Sequence, residues 1–170
     1  MTTTQTDGLT RVERDASGLR TTYEEIEVGA DLGRMEWTVG PENVAGLMEN
    51  DQDYHEWYAE SSPWGEPVVT PMATYPPVRI LFTKKYNVRG VFYEYESEFI
   101  RPIHYGQKVI ITGRVVDKWI KRDREYVRYE AEGRSEDGEL LFRTRRAHAL
   151  DYIKRTVPRS GEGVDSGLAL

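Results

Sequence analysis

Residues 51–58 bring together side chains that can accept and donate protons. The segment reads Asp-Gln-Asp-Tyr-His-Glu-Trp-Tyr and offers carboxylates, an imidazole and a phenol within eight residues. A carboxylate is ionised at neutral pH, an imidazole titrates near it, and a phenol stays protonated and can donate. We therefore predict an acid/base site here, with Asp53, His55 and Tyr58 as its candidate catalytic residues. The alternative is a purely structural loop, in which an aspartate caps a turn beneath surface aromatic rings.

Two segments farther along the chain predict a turn and a helix start. Ser62-Pro-Trp-Gly65 has the composition of a tight turn, and Thr70-Pro-Met-Ala-Thr74 that of a helix entered through a proline. The first backbone N–H groups of a helix lack partners within the helix, and the helix dipole favours negative charge beside them. Pro71 has no N–H, so Met72 and Ala73 are the candidate donors to an anion. Ordinary helix capping by Thr70 is the alternative.

Aromatic side chains near these segments could line an apolar ligand channel. Trp57, Trp64 and Tyr75 flank the loop and the helix start, and Gly65 ends the turn between them. Together with Met72 and Ala73 they are the candidate substrate-binding residues. The alternative is a place in the core, where aromatic residues beside a helix are most often found.

Length and composition restrict the possible classes of function. The chain has 170 residues with 38% hydrophobic content, which suits one domain. A net charge of -6 argues against nucleic acid as a partner, because a phosphate backbone attracts surplus lysine and arginine. There is no cysteine, and no apolar run approaches the ~20 residues of a membrane helix. We expect a cytoplasmic protein that does not bind membranes, because the polar N-terminus has no secretory signal pattern.

The hydropathy pattern predicts a folded unit between two tails. Residues 1–19 and 155–170 are rich in threonine, serine, glycine and charge, so we expect flexible tails there and a folded unit at 20–154. A strand is indicated by Met35, Trp37 and Val39, which alternate with polar neighbours. A short helix should then begin at Pro41 and end near Asn50.

The second half of the unit is predicted to contain a helix followed by strands. The buried side of that helix would comprise Val78, Ile80, Leu81 and Phe82. The Pro76-Pro77 pair either breaks a helix that starts at Thr70 or marks the start of a shorter one. Residues 91–100, 109–120 and 126–133 have strand composition, and turn-like sequences at 121–125 and 135–138 predict that the last three strands form an antiparallel meander. These elements predict the α+β class.

The order and spacing of these pieces resemble the hotdog fold, in which a curved antiparallel sheet wraps around a central helix. Within that fold they resemble the MaoC-like hydratases and dehydratases, over residues 23–152. The matching pieces are Tyr23-Glu-Glu-Ile-Glu-Val-Gly29, Thr38-Val-Gly-Pro-Glu-Asn-Val44, the acidic loop, Pro63-Trp-Gly65, Arg101-Pro-Ile-His-Tyr-Gly106 and Gly113-Arg-Val-Val116. The resemblance implies a single hotdog domain.

The resemblance also implies a catalytic motif of the form Asp-x-Asn-Pro-x-His, with a backbone N–H at the start of the central helix as oxyanion donor. Aligned on Asp53, the motif puts His55 at the asparagine and Tyr58 at the histidine. Aligned on Asp51, it puts Glu56 at the histidine instead. The active pair is therefore Asp53 with Tyr58, or Asp53 with His55, whose pKa suits proton transfer.

The implied reaction is reversible hydration of an enoyl thioester, or dehydration of a 3-hydroxyacyl thioester, with coenzyme A or an acyl carrier protein as the carrier. No redox cofactor or metal is implied. The alternatives are thioester hydrolysis or a specialised elimination, isomerisation or cyclisation on the same scaffold. A non-catalytic subunit of a heterodimer is a further alternative, which the missing histidine favours. We expect a homodimer, because one hotdog unit leaves sheet edges uncovered.

Other polar residues have a structural and a functional interpretation. His104 and His148 are interpreted as structural, since their spacing matches no metal-binding motif. A basic rim for a carrier phosphate is one hypothesis, and a solvated strand face is the other. The residues concerned are Lys118, Lys121, Arg122, Arg143, Arg145 and Arg146.

Overall fold

The central feature of the computed structural model is a five-stranded antiparallel sheet. The structure describes residues 3–6, 9–12, 21–88 and 90–150. Five strands form the sheet in the spatial order β3-β5-β6-β7-β4. Their bounds are β3 Asp31–Trp37, β4 Gly90–Phe99, β5 Val109–Lys121, β6 Arg124–Ser135 and β7 Leu140–Leu150. The predicted meander of the last three strands is confirmed, because β6 pairs with both β5 and β7.

Side chains alternate between the two faces of the sheet, as the period of a strand requires. On β6, Val127, Tyr129 and Ala131 are buried on the inner face. The residues between them carry charge and belong to the outer face, where Glu130 pairs with Arg145 at 2.7 Å. One face therefore builds the core, and the other is a ladder of opposite charges across several strands.

A two-residue turn joins β5 to β6. Its residues, Arg122 and Asp123, have φ values of 52° and 57°, in the left-handed region. That geometry matches the right-handed twist of a hairpin but suits glycine and asparagine better than arginine. The turn predicted at 121–125 is thus present, with less favourable residues than its geometry prefers.

Both predicted helices are present. Helix α1 spans Pro41–Asp51 and ends at Gln52, which adopts a left-handed conformation with φ 54°. Helix α2 spans Tyr75–Lys85 and follows a 3₁₀ turn at Pro71–Thr74. Two prolines, Pro76 and Pro77, lie in the first turn of α2, where a missing N–H is tolerated. The shorter of the two predicted helices is therefore correct.

The core lies between α2 and the inner face of the sheet. Val78, Leu81 and Phe82 are almost fully buried, while Ile80 is only half-buried. The ring of Phe82 stacks on Tyr129, with centroids 4.4 Å apart and planes at 1°. Burial of one such side chain contributes roughly 1.5–3 kcal/mol. This packing fixes the height and direction of α2, and hence the position of its first turn.

Gly113 on β5 permits the close approach of helix and sheet. A Cβ atom there would lie 2.6 Å from the backbone oxygen of Glu130 and 3.2 Å from a methyl carbon of Leu81. A larger residue would therefore push both a neighbouring strand and the helix away.

The N-terminal segment contains more structure than predicted. Thr3–Thr6 (β1) and Leu9–Val12 (β2) pair as an antiparallel hairpin, inside the segment where a flexible tail was expected. Threonine and other β-branched residues, which favour strands, account for the difference. The tail predicted at 155–170 lies outside the described residues, so the domain limits stay a prediction. None of the helices described is long and apolar enough to cross a membrane.

Candidate active site

The end of helix α1 positions Asp53. The Gln52 N–H donates to the carbonyl of Glu49 at 3.3 Å, and the Asp53 N–H donates to that of Met48 at 3.0 Å. The left-handed conformation of Gln52 turns the chain back so that both bonds form. These two bonds hold the Asp53 backbone against the end of α1. The Asp53 side chain is half-buried at the start of the loop that follows.

His55 acts as the cap of a short 3₁₀ helix at Glu56–Tyr58. Its Nδ1 accepts a hydrogen bond from the Trp57 N–H at 3.2 Å, which requires Nδ1 to be unprotonated. The side chain is exposed, and its ring lies edge-on to Trp57 at a centroid distance of 4.6 Å. The structure thus gives His55 a capping role, with its ring centroid 6.0 Å from that of Tyr58.

Tyr58 is the residue that the structure joins to Asp53. Its hydroxyl lies close enough to the Asp53 carboxylate and to the side chain of Thr70 for both to affect its pKa. An ionised carboxylate can only accept a hydrogen bond, so the Tyr58 hydroxyl is the donor group towards Asp53. The pair that the structure joins is thus the one given by aligning the motif on Asp53, and not the one given by aligning it on Asp51.

The environment of Tyr58 favours the protonated phenol. Burial raises the pKa of Tyr58 above its ordinary value, and the Asp53 carboxylate raises it further, while the Thr70 hydroxyl opposes them. The backbone of Tyr58 is also held, because the Tyr105 hydroxyl donates to its carbonyl at 3.1 Å. Tyr58 is therefore a fixed proton donor at neutral pH and not a base.

The 3₁₀ turn at Pro71–Thr74 begins next to this pair, because Thr70 immediately precedes the turn and its side chain lies near the Tyr58 hydroxyl. Of the two predicted donors, Ala73 is already used, because its N–H bonds to the Thr70 carbonyl at 3.0 Å. This corrects the prediction for Ala73. The Met72 N–H has no acceptor among the residues that the structure describes. Met72 is also 39% exposed, so a ligand can approach it.

The candidate substrate-binding aromatics fall into two groups. Trp57 and Trp64 contact each other edge-on at 5.6 Å, beside the acidic loop. Gly65, with φ 97°, closes the turn that carries Trp64 through a hydrogen bond from its N–H to the Ser62 carbonyl at 2.9 Å. Tyr75 instead packs against Phe92 of β4 at a centroid distance of 5.4 Å. The predicted set is therefore not a single continuous lining.

The two remaining histidines have the structural surroundings expected of them. His104 lies in a bridge with Val68, and its Nδ1 is 3.2 Å from the carbonyl oxygen of Pro67. His148 is buried on β7, and burial together with nearby Arg146 and Arg79 lowers its pKa to about 4. It is therefore neutral at pH 7.

The hypothesis of a basic rim is wrong. Arg143 and Arg145 lie on the outer face, each paired with glutamates of the neighbouring strands. Arg146 points to the opposite face and is completely buried. Lys118 donates to the Tyr23 carbonyl at 2.9 Å. Strand alternation places arginines that are adjacent in sequence on opposite faces, so they cannot form one phosphate site.

Two further residues belong to the site. The sequence predicts Thr70 only as a cap, yet its side chain lies near the Tyr58 hydroxyl and is 3% exposed. Tyr105 fixes the Tyr58 backbone from a distant loop. A threonine next to a helix start is a signal for the first, whereas no local pattern indicates the second.

Comparison with known proteins identifies the fold. No protein-family model and no curated protein sequence matches this chain. Solved structures do match. The (R)-hydratase from A. caviae involved in PHA biosynthesis has a TM-score of 0.63 at 16% identity, over 75% of this chain and 98% of that one. A MaoC-like dehydratase from Rhodospirillum rubrum has a TM-score of 0.58 at 16% identity, over 78% and 97%.

A third match is the HadBC (3R-hydroxyacyl-ACP dehydratase) complex from Mycobacterium tuberculosis, with a TM-score of 0.60 at 14% identity, over 76% of this chain and 98% of that one. At such identities the likeness concerns the fold. The chain has the hotdog fold of the MaoC-like hydratases and dehydratases, as its sequence predicts.

Proposed function

We propose that this protein adds water to an enoyl thioester, or removes it from a 3-hydroxyacyl thioester, by acid/base catalysis. The observation that carries the proposal is the grouping of Asp53 and Thr70 around the Tyr58 hydroxyl, with Thr70 two residues before Met72, whose N–H has no acceptor among the described residues. This arrangement supplies a base, an acid and an oxyanion donor within one short region.

Each group has one role in the proposed hydration. The Asp53 carboxylate takes a proton from water as the oxygen attacks the β-carbon. The Met72 N–H donates to the thioester oxygen as negative charge develops on it. Tyr58 then protonates the α-carbon, and the proton held by Asp53 passes to the neighbouring phenolate. Every proton is accounted for, and dehydration follows the same steps in reverse.

The raised pKa of Tyr58 agrees with the role of acid. Asp53 next to the hydroxyl disfavours a free phenolate, so Tyr58 retains its proton until an acceptor more basic than itself forms. The enolate carbon is such an acceptor. His55 is a weaker candidate, because its Nδ1 is occupied by the Trp57 N–H and its ring is exposed.

We propose coenzyme A or an acyl carrier protein as the carrier of the acyl group, and no redox cofactor or metal. Two structural neighbours are named as an (R)-hydratase and a 3R-hydroxyacyl-ACP dehydratase, and both names describe this class of reaction. Because one fold hosts many reactions, the neighbours support the reaction class only by analogy. The proposed mechanism rests on the residues of the site.

A second candidate function is that of a non-catalytic subunit in a heterodimer. The observation that favours it is the phenol at the motif's histidine position, since a phenol with a raised pKa is a poor base. One structural neighbour is also named as a complex, HadBC. In that case the chain alone would bind thioesters without turning them over.

The test is turnover by the purified chain alone, on a small panel of enoyl and 3-hydroxyacyl thioesters with product identification. Interconversion of the two classes supports the proposal. Release of free thiol indicates thioester hydrolysis instead, and a new acyl isomer or ring indicates isomerisation or cyclisation. Binding without any product favours the non-catalytic subunit.

A further inference from the structure

Arg146 is the largest side chain that the fold buries completely, and it is a cation. No carboxylate lies within ion-pair distance of it in the stretches 21–88 and 90–150. Burial lowers its pKa from an ordinary value that is far above neutrality, so the guanidinium remains charged. A buried charge without a counter-charge is costly and is retained only where its hydrogen bonds have a use.

Two of the hydrogen bonds of Arg146 go to backbone carbonyls at the start of α2, and a third goes to β7. Its Nη1 donates to the Tyr75 carbonyl at 2.8 Å, and its Nη2 donates to the Thr74 carbonyl at 3.4 Å. Its Nε donates to the Thr144 hydroxyl at 3.3 Å. The guanidinium also lies over the Tyr75 and Tyr95 rings, 4.7 and 5.1 Å from their centroids. Arg146 thus ties the start of the helix to β7 from within the core.

The start of α2 needs such an external tie. In a regular helix the carbonyls of Met72 and Ala73 would accept from the N–H groups of residues 76 and 77. Both of those residues are prolines, so neither bond can form. This turn is held by 3₁₀ bonds, including one from the Tyr75 N–H to the Met72 carbonyl, and by a bond from the Thr74 hydroxyl to the Pro71 carbonyl at 2.8 Å. The geometry of 3₁₀ bonds is poorer than that of α-helical bonds.

We propose that Arg146 is the positioning residue of the oxyanion site: by holding the Thr74 and Tyr75 carbonyls it fixes the direction of the Met72 N–H. This inference rests on the proposed function for its catalytic meaning. Its mechanical part, the restraint of residues 72–75, does not depend on that function. The two parts are therefore tested by different measurements.

The first experiment compares Arg146→Lys with Arg145→Lys. Lysine keeps the charge but loses the fork that reaches two carbonyls. Arg145 is the matched control, because it is adjacent in sequence, lies on the outer face and pairs with Glu130. We expect Arg146→Lys to lower kcat per folded molecule by about tenfold or more, with KM changed less and the shape of the pH profile unaltered. Arg145→Lys should keep parental kcat.

The second experiment measures backbone hydrogen exchange, which needs no activity. The amides of Ala73, Thr74 and Tyr75 should exchange faster in Arg146→Lys and at the parental rate in Arg145→Lys. If Arg146→Lys does not fold, Thr144→Val removes the acceptor of Nε, together with the bond from the Thr144 hydroxyl to the Glu96 carbonyl, and should produce a smaller change in the same direction.

The outcomes separate the two ideas. Parental kcat in Arg146→Lys, or parental exchange at residues 73–75, overturns the positioning role. A parent chain that shows no turnover overturns the proposed function, while hydrogen exchange still decides whether Arg146 restrains the helix start. Equal damage from Arg146→Lys and Arg145→Lys would indicate a general loss of stability and also overturn the proposal.

Discussion

Asp53 and Tyr58 are five residues apart, and the structure brings the Asp53 carboxylate close enough to the Tyr58 hydroxyl to raise the pKa of the phenol. Their spacing is visible in the sequence, where the motif aligned on Asp53 puts Tyr58 at the position of its histidine. The local turn geometry supports the same pairing, because Gln52 reverses the chain and the 3₁₀ helix at Glu56–Tyr58 brings the phenol back.

We predict that Asp53→Asn lowers kcat by on the order of a hundredfold or more, the range for loss of a positioned acid/base group. The substitution keeps the shape of the side chain and its ability to accept from Tyr58, but it cannot take a proton from water. Steady-state kinetics on an enoyl thioester measures the effect, with circular dichroism as the check of folding. Parental activity in a folded Asp53→Asn would contradict the assignment of the base.

Tyr58→Phe and His55→Asn distinguish the two candidate acids. Tyr58→Phe deletes only the hydroxyl and should remove on the order of a hundredfold or more of kcat. His55→Asn should be tolerated, because asparagine also caps a helix start and can accept from the Trp57 N–H. Equal tolerance of both substitutions would contradict the acid/base role of this loop.

The pH dependence of kcat/KM gives an independent test of whether Tyr58 or His55 is the acid. An acid must be protonated to act, so activity falls as pH rises through its pKa. Because the pKa of Tyr58 is raised, activity that depends on it should persist through neutral and mildly alkaline pH. A fall centred near pH 6.5 would instead identify His55 as the acid.

At the scale of elements, the sequence predicts most of the fold. Strand composition and the period of two located the strands of the sheet, since these depend on neighbouring residues alone. The ambiguity at Pro76-Pro77 was resolved only by tertiary contacts, among them the bonds from Arg146 to Thr74 and Tyr75. Contacts between residues so distant in sequence leave no periodic pattern, and this is why Thr70, Tyr105 and Arg146 were not recognised.

The packing of α2 on β7 makes stability depend on pH through His148. Its pKa is lowered to about 4 in the folded state, where Arg146 and Arg79 face it and the Phe82, Phe92 and Tyr129 rings surround it. In the unfolded chain an imidazole titrates near 6.5. Between these values the unfolded state binds more protons, so stability is complete above pH 6.5 and falls as the pH decreases towards 4.

We predict that this single group removes up to roughly 3 kcal/mol of unfolding free energy between pH 7 and pH 4. Urea denaturation at several pH values measures the slope. His148→Phe keeps a ring in the aromatic cluster and should abolish the contribution, whereas the exposed His55 replaced by asparagine should leave it unchanged. The same slope in His148→Phe as in the parent would show that other groups are responsible.

At the scale of the whole molecule, the charged outer face of the sheet contrasts with its apolar edge at β4. The outer face is satisfied by ion pairs such as that between Arg128 and Glu94 at 2.6 Å. Strand β4 is an edge of the sheet, and several apolar side chains on it and just beyond it are partly exposed. These are Val91, Phe92 and Tyr93, with Phe99 and Ile100 at its far end. An uncovered edge of this composition is a site for association with another chain.

We predict a homodimer in which β4 lies at the interface, and Val91→Lys should weaken it. Val91 is 57% exposed on β4, and Ile120, at the far end of β5, is a matched control with the same 57% exposure. A lysine at the interface has to be desolvated, so Val91→Lys should raise the dissociation constant by on the order of tenfold or more. Ile120→Lys should leave that constant unchanged. Sedimentation velocity over a concentration series measures both.

Three outcomes of the sedimentation experiment would change this account of the assembly. A parent chain that is monomeric at micromolar concentration would rule out the homodimer. Equal dissociation of the two variants would place the interface elsewhere than on β4. A parent chain that associates only with a different hotdog subunit would favour the heterodimer, and Val91→Lys should then weaken that complex instead, because the same uncovered edge must be buried in either assembly.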